Sequence, residues 1–206
     1  MKDLGPEFFE RDPVICAQEL IGCLFRWNGC VGRIVETEAY ASVGDQACHT
    51  WFRPSAREFV ASHPAGTAYV YMNYGIHWLF NILVKGPEHE GFVLFRALEP
   101  VEGIEKMMER VGVRPQVSIC AGPGKLTKAL GISGADHGRP FLQQMHTGIL
   151  QMEKIRWVEG PRVGISRDEH FLWRFGSPSS SALSRRFPLQ ENPTPVGEDG
   201  CQTIRN

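Results

Sequence analysis

The stretch Arg33–Tyr40 reads Arg-Ile-Val-Glu-Thr-Glu-Ala-Tyr, and the dipeptide Asn28-Gly29 stands shortly before it. Asn-Gly between apolar runs is the strongest short-range signal for a β-hairpin, because both residues accept the positive φ of a type I′ turn. We therefore predict two strands, 23–27 and 30–40, that pair across this turn. The rest of the predicted sheet is arranged around the second of them.

Two acidic side chains and a tyrosine share one face of the predicted second strand. Side chains alternate between the two faces of a strand, so Glu36, Glu38 and Tyr40 point the same way. Acidic residues are poor strand formers, and two of them on one face need a reason. The pattern leaves two interpretations open, a solvated sheet edge or a site that uses carboxylates.

A second informative stretch, Thr67–Asn81, contains three of the four tyrosines in the chain, and the fourth is in the stretch quoted above. Tyr69 and Tyr71 fall on the same face of a predicted strand, and 77–85 is predicted as the returning strand. The intervening Asn73-Tyr74-Gly75 is typical of a turn. It therefore predicts an aromatic side chain near an exposed tip.

Three polar residues stand in places where they could bind a ligand. Asn81 lies in an apolar run and would need hydrogen-bond partners if buried, either as a structural amide or as part of a site. Arg96, in the predicted strand 92–98, could hold a phosphate or carboxylate with its planar fork, or pair with a nearby acid. Lys125 follows a glycine-rich turn that opens a short helix, where free backbone amides and the helix dipole favour a phosphate.

The other elements are predicted from periodicity and turn residues. The passage 41–66 has no clear period and is predicted to be irregular. Helices are predicted at 13–21, at 100–111 and after Gly124, and further strands as a pair within 155–165 that turns at 159–161, and at 171–175.

The composition is that of an ordinary globular protein, with 206 residues of which 42% are hydrophobic and 22% charged. This length allows one well-buried domain, which we place at 1–188. The end of the chain, 189–206, is rich in polar residues and proline and is expected to be weakly ordered. No apolar run of ~18 residues predicts a membrane span, and no targeting signal is seen.

The charge and the cysteines restrict the function classes. A formal net charge of −1 does not by itself favour a nucleic-acid binder, so only locally clustered basic residues would support one. The six cysteines include no Cys-x-x-Cys pair, and structural zinc needs closer pairs. We therefore expect buried, reduced cysteines, with no metal and no cofactor.

Four segments, in this order, resemble one family of proteins. They are Arg33–Tyr40, Tyr-Val-Tyr-x-x-Tyr-Gly at 69–75, Arg-Ala-Leu-Glu-Pro at 96–100 and Gly-Pro-x-Lys-Leu at 122–126. Together they are specific, and from about 13 to 178 the chain closely resembles the alkyladenine, or 3-methylpurine, DNA glycosylases. The resemblance implies a single-domain α+β fold, a twisted and mainly antiparallel sheet with flanking helices.

The resemblance also implies a reaction. Alkylated purines, such as 3-methyladenine and 7-methylguanine, would be flipped out of duplex DNA and removed by hydrolysis of the N-glycosidic bond, which leaves an abasic site. By position, Glu38 matches the general base that activates the water, and Arg96 matches the residue that positions it. Tyr74 matches the side chain inserted into the vacated duplex.

The resemblance implies a pocket for the flipped base as well. Its side chains would be Tyr40, His49, Tyr71 and Asn81. Lys125 and Arg57 are expected to contact phosphates. The chain departs from the family pattern at Glu58, where a small polar or amide residue is usual, and at Ile76, where methionine is usual.

Two other functions fit parts of the pattern. A glycoside hydrolase would use Glu36 and Glu38 as an acid–base pair, but this gives Tyr74 no task. A non-catalytic module would bind damaged DNA or structured RNA, but this leaves Glu38 unexplained because a carboxylate repels phosphates. The resemblance implies a monomer that acts on double-stranded DNA containing alkylated purines, without membrane contact. We expect it in the cytoplasm of a bacterium, at the nucleoid, or in a eukaryotic nucleus.

Overall fold

The computed structural model describes residues 2–142 and 144–188, and the chain forms nine strands and five α-helices within these residues. The strands, in chain order, are β1 Lys2–Asp3, β2 Leu24–Trp27, β3 Cys30–Ala41, β4 Ala68–Asn73, β5 His77–Lys85, β6 Glu90–Glu102, β7 Gly148–Gln151, β8 Val158–Gly160 and β9 Arg174–Gly176. The helices are α1 Pro13–Glu19, α2 His49–Phe52, α3 Pro54–Ser62, α4 Ile104–Val111 and α5 Pro123–Leu130.

The β2–β3 hairpin forms at the predicted turn. Asn28 and Gly29 have φ angles of 51° and 73°, as the two central residues of a type I′ turn require. β3 continues beyond its pairing with β2, and its later part pairs with β6 on one edge and β9 on the other. The stretch Arg33–Tyr40 therefore lies inside the sheet and not at a solvated edge.

The strand pairs among the described residues are all antiparallel. The order across the sheet is β1-β7-β2-β3-β6-β5-β4, and β9 joins β3 while also pairing with β8. α1 packs on β3 and β6, and α5 packs on β5 and β6. The fold is a single α+β domain on a mainly antiparallel sheet with flanking helices, which confirms the predicted class.

The two faces of the sheet bury different sets of side chains. One face forms the main hydrophobic core with α1, α4 and α5. At its centre, aromatic rings contact one another: Phe25, Trp27, Phe80, Phe95 and Phe141. On the opposite face, α3 covers a smaller cluster that includes Tyr69, Leu83 and Phe92. We call this opposite side the cavity face, because the candidate site lies there.

The passage 41–66 differs from the prediction, because it contains α2 and α3. Pro54 begins α3, where its missing N–H costs nothing, and Ala56, Phe59 and Val60 are buried at helical spacing. This spacing is present in the sequence, but the polar residues around it obscure the helical period. The predicted helix 100–111 is too long at its start, because β6 extends to Glu102 and α4 begins only after it.

The strand pair predicted within 155–165 is wrong. Only 158–160 forms a strand, and its partner is β9 rather than the chain that follows the turn. Pro161, which has no amide N–H for a ladder, follows directly. The last strand occupies 174–176 instead of 171–175, and the short strands β1 and β7 were not predicted.

Three further observations concern the chain as a whole. The tail predicted at 189–206 lies outside the described residues. In the part of the chain that the structure describes, no helix combines the length and apolar character needed to cross a membrane. The described cysteines are buried and have free thiols, at positions 16, 23, 30, 48 and 120.

Candidate active site

A cavity of about 530 Å³ opens on the cavity face, between the β4–β5 hairpin, the segment that leads into α2, and the loop 163–167. Its lining contains each side chain predicted for the base pocket: Tyr40, His49, Tyr71 and Asn81. Arg96 and Tyr74 line it as well. The fold therefore brings together six side chains that the resemblance grouped and that lie on separate elements.

Glu38 lies directly behind the cavity wall, fully buried. Its Oε2 accepts hydrogen bonds from the Tyr40 hydroxyl at 2.8 Å and from Arg96 Nη1 at 3.3 Å, and its Oε1 accepts one from the Val163 N–H at 2.7 Å. Burial raises the pKa of Glu38, and Arg96, the Val163 N–H and Tyr40 oppose that rise. All three donors line the cavity, so the carboxylate is separated from it only by the groups that bind it.

Glu36 shares this side of β3, as predicted, but it is sealed off from the cavity. Its Oε1 accepts hydrogen bonds from Arg96 Nε at 3.1 Å, Arg174 Nη1 at 3.1 Å and the Ser184 hydroxyl at 2.9 Å, and its Oε2 accepts from the Ser184 N–H at 2.6 Å. The carboxylate is fully buried. Glu36 therefore holds Arg96 in place and has no access to a ligand in the cavity.

Arg96 joins the two carboxylates, so it is paired with acids, one of the alternatives that the sequence left open. Burial works against its charge, but the charges of Glu38 and Glu36 outweigh burial and raise the pKa of Arg96. It stays a cation at the wall of the cavity.

The aromatic wall of the cavity is uncharged at neutral pH. Burial, and the nearby charge of Arg53, lower the pKa of His49 to about 4. Burial raises the pKa of Tyr71, so its hydroxyl stays protonated. The ring centroids of His49 and Tyr71 are 4.2 Å apart, and His49 Nδ1 lies 3.0 Å from the hydroxyl of Tyr69. Tyr69 also lines the cavity and was not among the predicted pocket residues, although its shared face with Tyr71 was a signal for it.

Asn81 combines the two roles that were considered for it. Its Nδ2 donates to the Tyr69 carbonyl at 3.2 Å, which is a structural bond within the β4–β5 hairpin. Among the described residues, no donor bonds its Oδ1. The side chain lines the cavity, so this oxygen is left to accept from a ligand.

Tyr74 stands at the tip of the β4–β5 hairpin, as predicted. The turn is closed by the Ile76 N–H, which donates to the Asn73 carbonyl at 3.1 Å, and Tyr74 and Gly75 have φ angles of 50° and 69°. A positive φ is uncommon for a residue with a side chain. The Tyr74 side chain is 86% exposed, and Ile76 is 72% exposed. The tip therefore presents apolar surface to solvent beside the cavity mouth.

The residues predicted to contact phosphates do not line the cavity. Lys125 is exposed on the first turn of α5, and Pro123, at the start of this helix, is part of the lining. Arg57 is exposed on α3, and its Nη1 donates to the Thr50 and Trp51 carbonyls at 2.6 and 3.5 Å. One of its nitrogens thus supports α2. Contact of either residue with a phosphate stays a prediction.

Comparison with known proteins supports the resemblance. Residues 7–181 match the family model described as methylpurine-DNA glycosylase. The chain belongs to this family. A protein of Chlorobaculum tepidum is 39% identical, with 91% of this chain and 93% of the relative covered. One of Rhodopseudomonas palustris is 41% identical, with 88% and 87% covered. Both carry the name "Putative 3-methyladenine DNA glycosylase".

Sequence reasoning missed a buried ion pair that anchors the loop 163–167 in this member of the family. Arg162 Nη1 and Nη2 donate to the two carboxylate oxygens of Asp45 at 2.6 and 2.9 Å, and both side chains are fully buried. The guanidinium lies 4.6 Å from the centre of the Tyr40 ring. It thus supports both the loop and one pocket tyrosine from behind.

In the described residues, no three His, Cys, Asp or Glu side chains come together in a group that could hold a metal ion. Independence from metals stays a prediction.

Proposed function

We propose that the protein excises alkylated purines from double-stranded DNA by hydrolysing the N-glycosidic bond with water activated by Glu38. The observation that carries this proposal is a buried carboxylate immediately behind an aromatic cavity, bonded by Tyr40 and Arg96 of its wall. Membership of the methylpurine-DNA glycosylase family supports it. The cavity is formed by one chain, so we propose a monomer as the active species.

A base inside a duplex cannot reach a closed pocket, so it has to be extruded at a cost of about a few kcal/mol. Tyr74, exposed at a tight turn at the mouth of the cavity, would fill the space that the base leaves. Stacking is worth roughly 1–3 kcal/mol per base, enough to offset much of this cost. The exposed Ile76 would add apolar contact beside it.

The cavity suits a base that carries a positive charge. Alkylation at a ring nitrogen such as N3 of adenine or N7 of guanine makes the base cationic, and aromatic faces attract cations. A protonated histidine would repel such a base, but His49, whose pKa is about 4, is neutral. The free Oδ1 of Asn81 would accept a hydrogen bond from an amino group of the purine.

The chemistry needs little more from the protein, because a cationic base is already a good leaving group. Water attacks the sugar carbon while the N-glycosidic bond breaks. The electron pair of that bond stays with the base and neutralises its positive charge. Glu38 takes the proton from the water, and its negative charge also stabilises the positive charge that develops on the sugar. Arg96 and the Val163 N–H meet Glu38 at the cavity wall, where we propose that the water binds.

This mechanism uses no covalent nucleophile, and we propose a monofunctional enzyme that leaves an intact abasic site. The contacts of Glu36 argue against a two-carboxylate glycoside hydrolase. Glu36 accepts four hydrogen bonds behind Arg96 and so has no access to a ligand in the cavity.

The test is to incubate the protein with methylated duplex DNA and to identify the released bases by mass spectrometry, with borohydride added to a parallel sample. We expect free methylated purines and no trapped protein–DNA adduct. Glu38→Gln, purified in the same way, controls for contaminating glycosylases. Tight binding without release would support the non-catalytic module, and an efficient covalent adduct would contradict a monofunctional enzyme.

A further inference from the structure

The end of the described chain returns to the buried side of the two carboxylates. We call residues 177–188 the C-terminal strap. It begins where the Ser177 N–H donates to the Val35 carbonyl at 2.9 Å, and it buries Ala182 against Val35 and Ala97. The family match ends at residue 181, so the later part of the strap lies beyond the matched region.

Ser184 is the residue of the strap that contacts the site. Its hydroxyl accepts a hydrogen bond from Arg96 Nη2 at 3.0 Å and donates one to Glu36 Oε1 at 2.9 Å. A hydroxyl can donate and accept at the same time, so it closes a ring with the guanidinium and the carboxylate. Within the described chain, Arg96 Nη2 has no other acceptor.

The rest of the strap fixes Ser184 in position. The next carbonyl, that of Arg185, accepts from Arg174 Nη1 at 2.9 Å. The Arg174 guanidinium lies 3.8 Å from the centre of the Phe187 ring. This ring packs so closely on Gly176 that a Cβ there would lie 2.5 Å from it. The strap is therefore held on both sides of Ser184.

We propose that Ser184 is a positioning residue that orients Arg96 and, through Arg96, the Glu38 carboxylate. Arg96 points Nε at Glu36, Nη2 at Ser184 and Nη1 at Glu38. With the first two nitrogens held, a planar guanidinium can aim the third in only one direction. Loss of the Ser184 hydroxyl releases one of these bonds and weakens the hold on Glu38. The expected effect on the rate of base release rests on the proposed function, whereas the contacts of Ser184 with Arg96 and Glu36 do not depend on it.

Three variants of the full chain isolate the hydroxyl. Ser184→Ala removes it but keeps the backbone N–H that bonds Glu36. Ser184→Thr keeps a hydroxyl on the same carbon. Ser181→Ala is the matched control, because Ser181 is an exposed serine of the same strap and its hydroxyl bonds no described residue.

In single-turnover release of a methylated purine at neutral pH, Ser184→Ala is expected to be about tenfold slower than the parent, the effect of losing one hydrogen bond to a charged group. Ser184→Thr should restore the rate, Ser181→Ala should leave it unchanged, and duplex affinity should stay the same in all three. Because the charge of Arg96 lowers the pKa of Glu38, the acid limb of the pH–rate profile should move to higher pH in Ser184→Ala alone. A merely structural role would lower the unfolding temperature without moving this limb.

A second measurement does not depend on base release. The titration of the Glu38 carboxyl carbon, followed by NMR in the parent, Ser184→Ala and Ser181→Ala, should show a raised pKa only in Ser184→Ala. If the parent releases no bases, the proposed function fails while the titration still tests the positioning role. An unchanged titration in Ser184→Ala would overturn that role, whatever the parent does. If Ser184→Ala does not fold, Ser184→Cys, whose thiol is only a weak donor and acceptor, takes its place.

Discussion

The variants Glu38→Gln and Glu36→Gln separate water activation from support of the site. Both carboxylates are fully buried and both are bonded by Arg96, and glutamine has nearly the same shape as glutamate. Glu38→Gln removes the proposed base, and general-base catalysis contributes roughly 10²- to 10⁴-fold. Base release is therefore expected to slow by about this factor in Glu38→Gln.

For stability the hydrogen bonds predict the opposite order, with Glu36→Gln destabilised more than Glu38→Gln. Whichever way the amide of Glu36→Gln turns, its NH₂ group takes the place of an acceptor. In one orientation the Ser184 N–H loses its acceptor, and in the other Arg96 Nε and Arg174 Nη1 both lose this acceptor, although the NH₂ group can then donate to the Ser184 hydroxyl. A buried donor left unsatisfied costs about 1–3 kcal/mol, and each kcal/mol lowers the Tm of a domain of this size by roughly 2–4 °C. At Glu38→Gln the Tyr40 hydroxyl can turn and accept from the amide, and only one guanidinium nitrogen, Arg96 Nη1, then loses its acceptor, so the loss there is smaller.

Three measurements on the same preparations test this pattern: single-turnover release of a methylated purine, affinity for the damaged duplex, and thermal unfolding. Glu38→Gln should bind the duplex as well as the parent or better, unfold near the parent Tm, and release almost no base. Glu36→Gln should release bases at temperatures where it is folded, but with a lower Tm. If Glu36→Gln were inactive with an unchanged Tm and Glu38→Gln nearly active, the assignment of the base would be wrong. Full activity of both would exclude water activation by this strand.

Further outcomes are expected. Tyr74→Ala should weaken binding to a duplex with ethenoadenine far more than binding of the free modified base, and equal duplex affinity would remove Tyr74 from the wedge role. Base release should fall as the pH drops through the pKa of Glu38, which burial raises above its ordinary 4.5, because only the carboxylate accepts a proton. The folded protein binds that proton more tightly than the unfolded chain, so ionisation of Glu38 lowers the stability as the pH rises through the raised pKa. The Tm of the parent relative to Glu38→Gln should decrease across that range, and a constant difference would contradict the shift. Duplex affinity should fall steeply with salt, with a log–log slope of about −0.9 per phosphate contacted, and a flat response would argue against phosphate contacts. Activity should persist in a strong chelator, and a loss restored by zinc would contradict independence from metals.

The parts of the fold that the sequence predicted are those that local patterns determine. The turn at Asn28-Gly29 follows from two residues that accept a positive φ. The turn at 73–75 was indicated by Asn73 and Gly75, although Tyr74 also adopts a positive φ there. α1 follows from Asp12, whose side chain accepts from the amides of Val14 and Ile15. The missed strands β1 and β7 have two and four residues, too few to show an alternating pattern. A strand was predicted at the position of β8, but its pairing with β9 was not, because pairing between distant segments produces no pattern in the local sequence.

For the candidate site, too, local patterns predicted some features and missed others. Alternation alone put Glu36 and Glu38 on one side of β3, but only the resemblance chose between them, and the hydrogen bonds of the structure give a physical reason for that choice. The supporting contacts could not be predicted, because Arg162 and Asp45 are 117 positions apart and Ser184 and Glu36 are 148 apart. Such contacts depend on the complete fold and not on any pattern within one segment.

The position of Glu38 in the sheet also determines which parts of the molecule can move when a ligand binds. Amides of β3 around Glu38 are paired with β6 on one edge and β9 on the other, so hydrogen–deuterium exchange there requires opening of much of the sheet. Tyr74, in contrast, is carried by a turn next to β4, the last strand in the order, which can open without disturbing β3. A ligand at the cavity mouth can therefore displace this turn while the Glu38 carboxylate keeps its distance from Arg96.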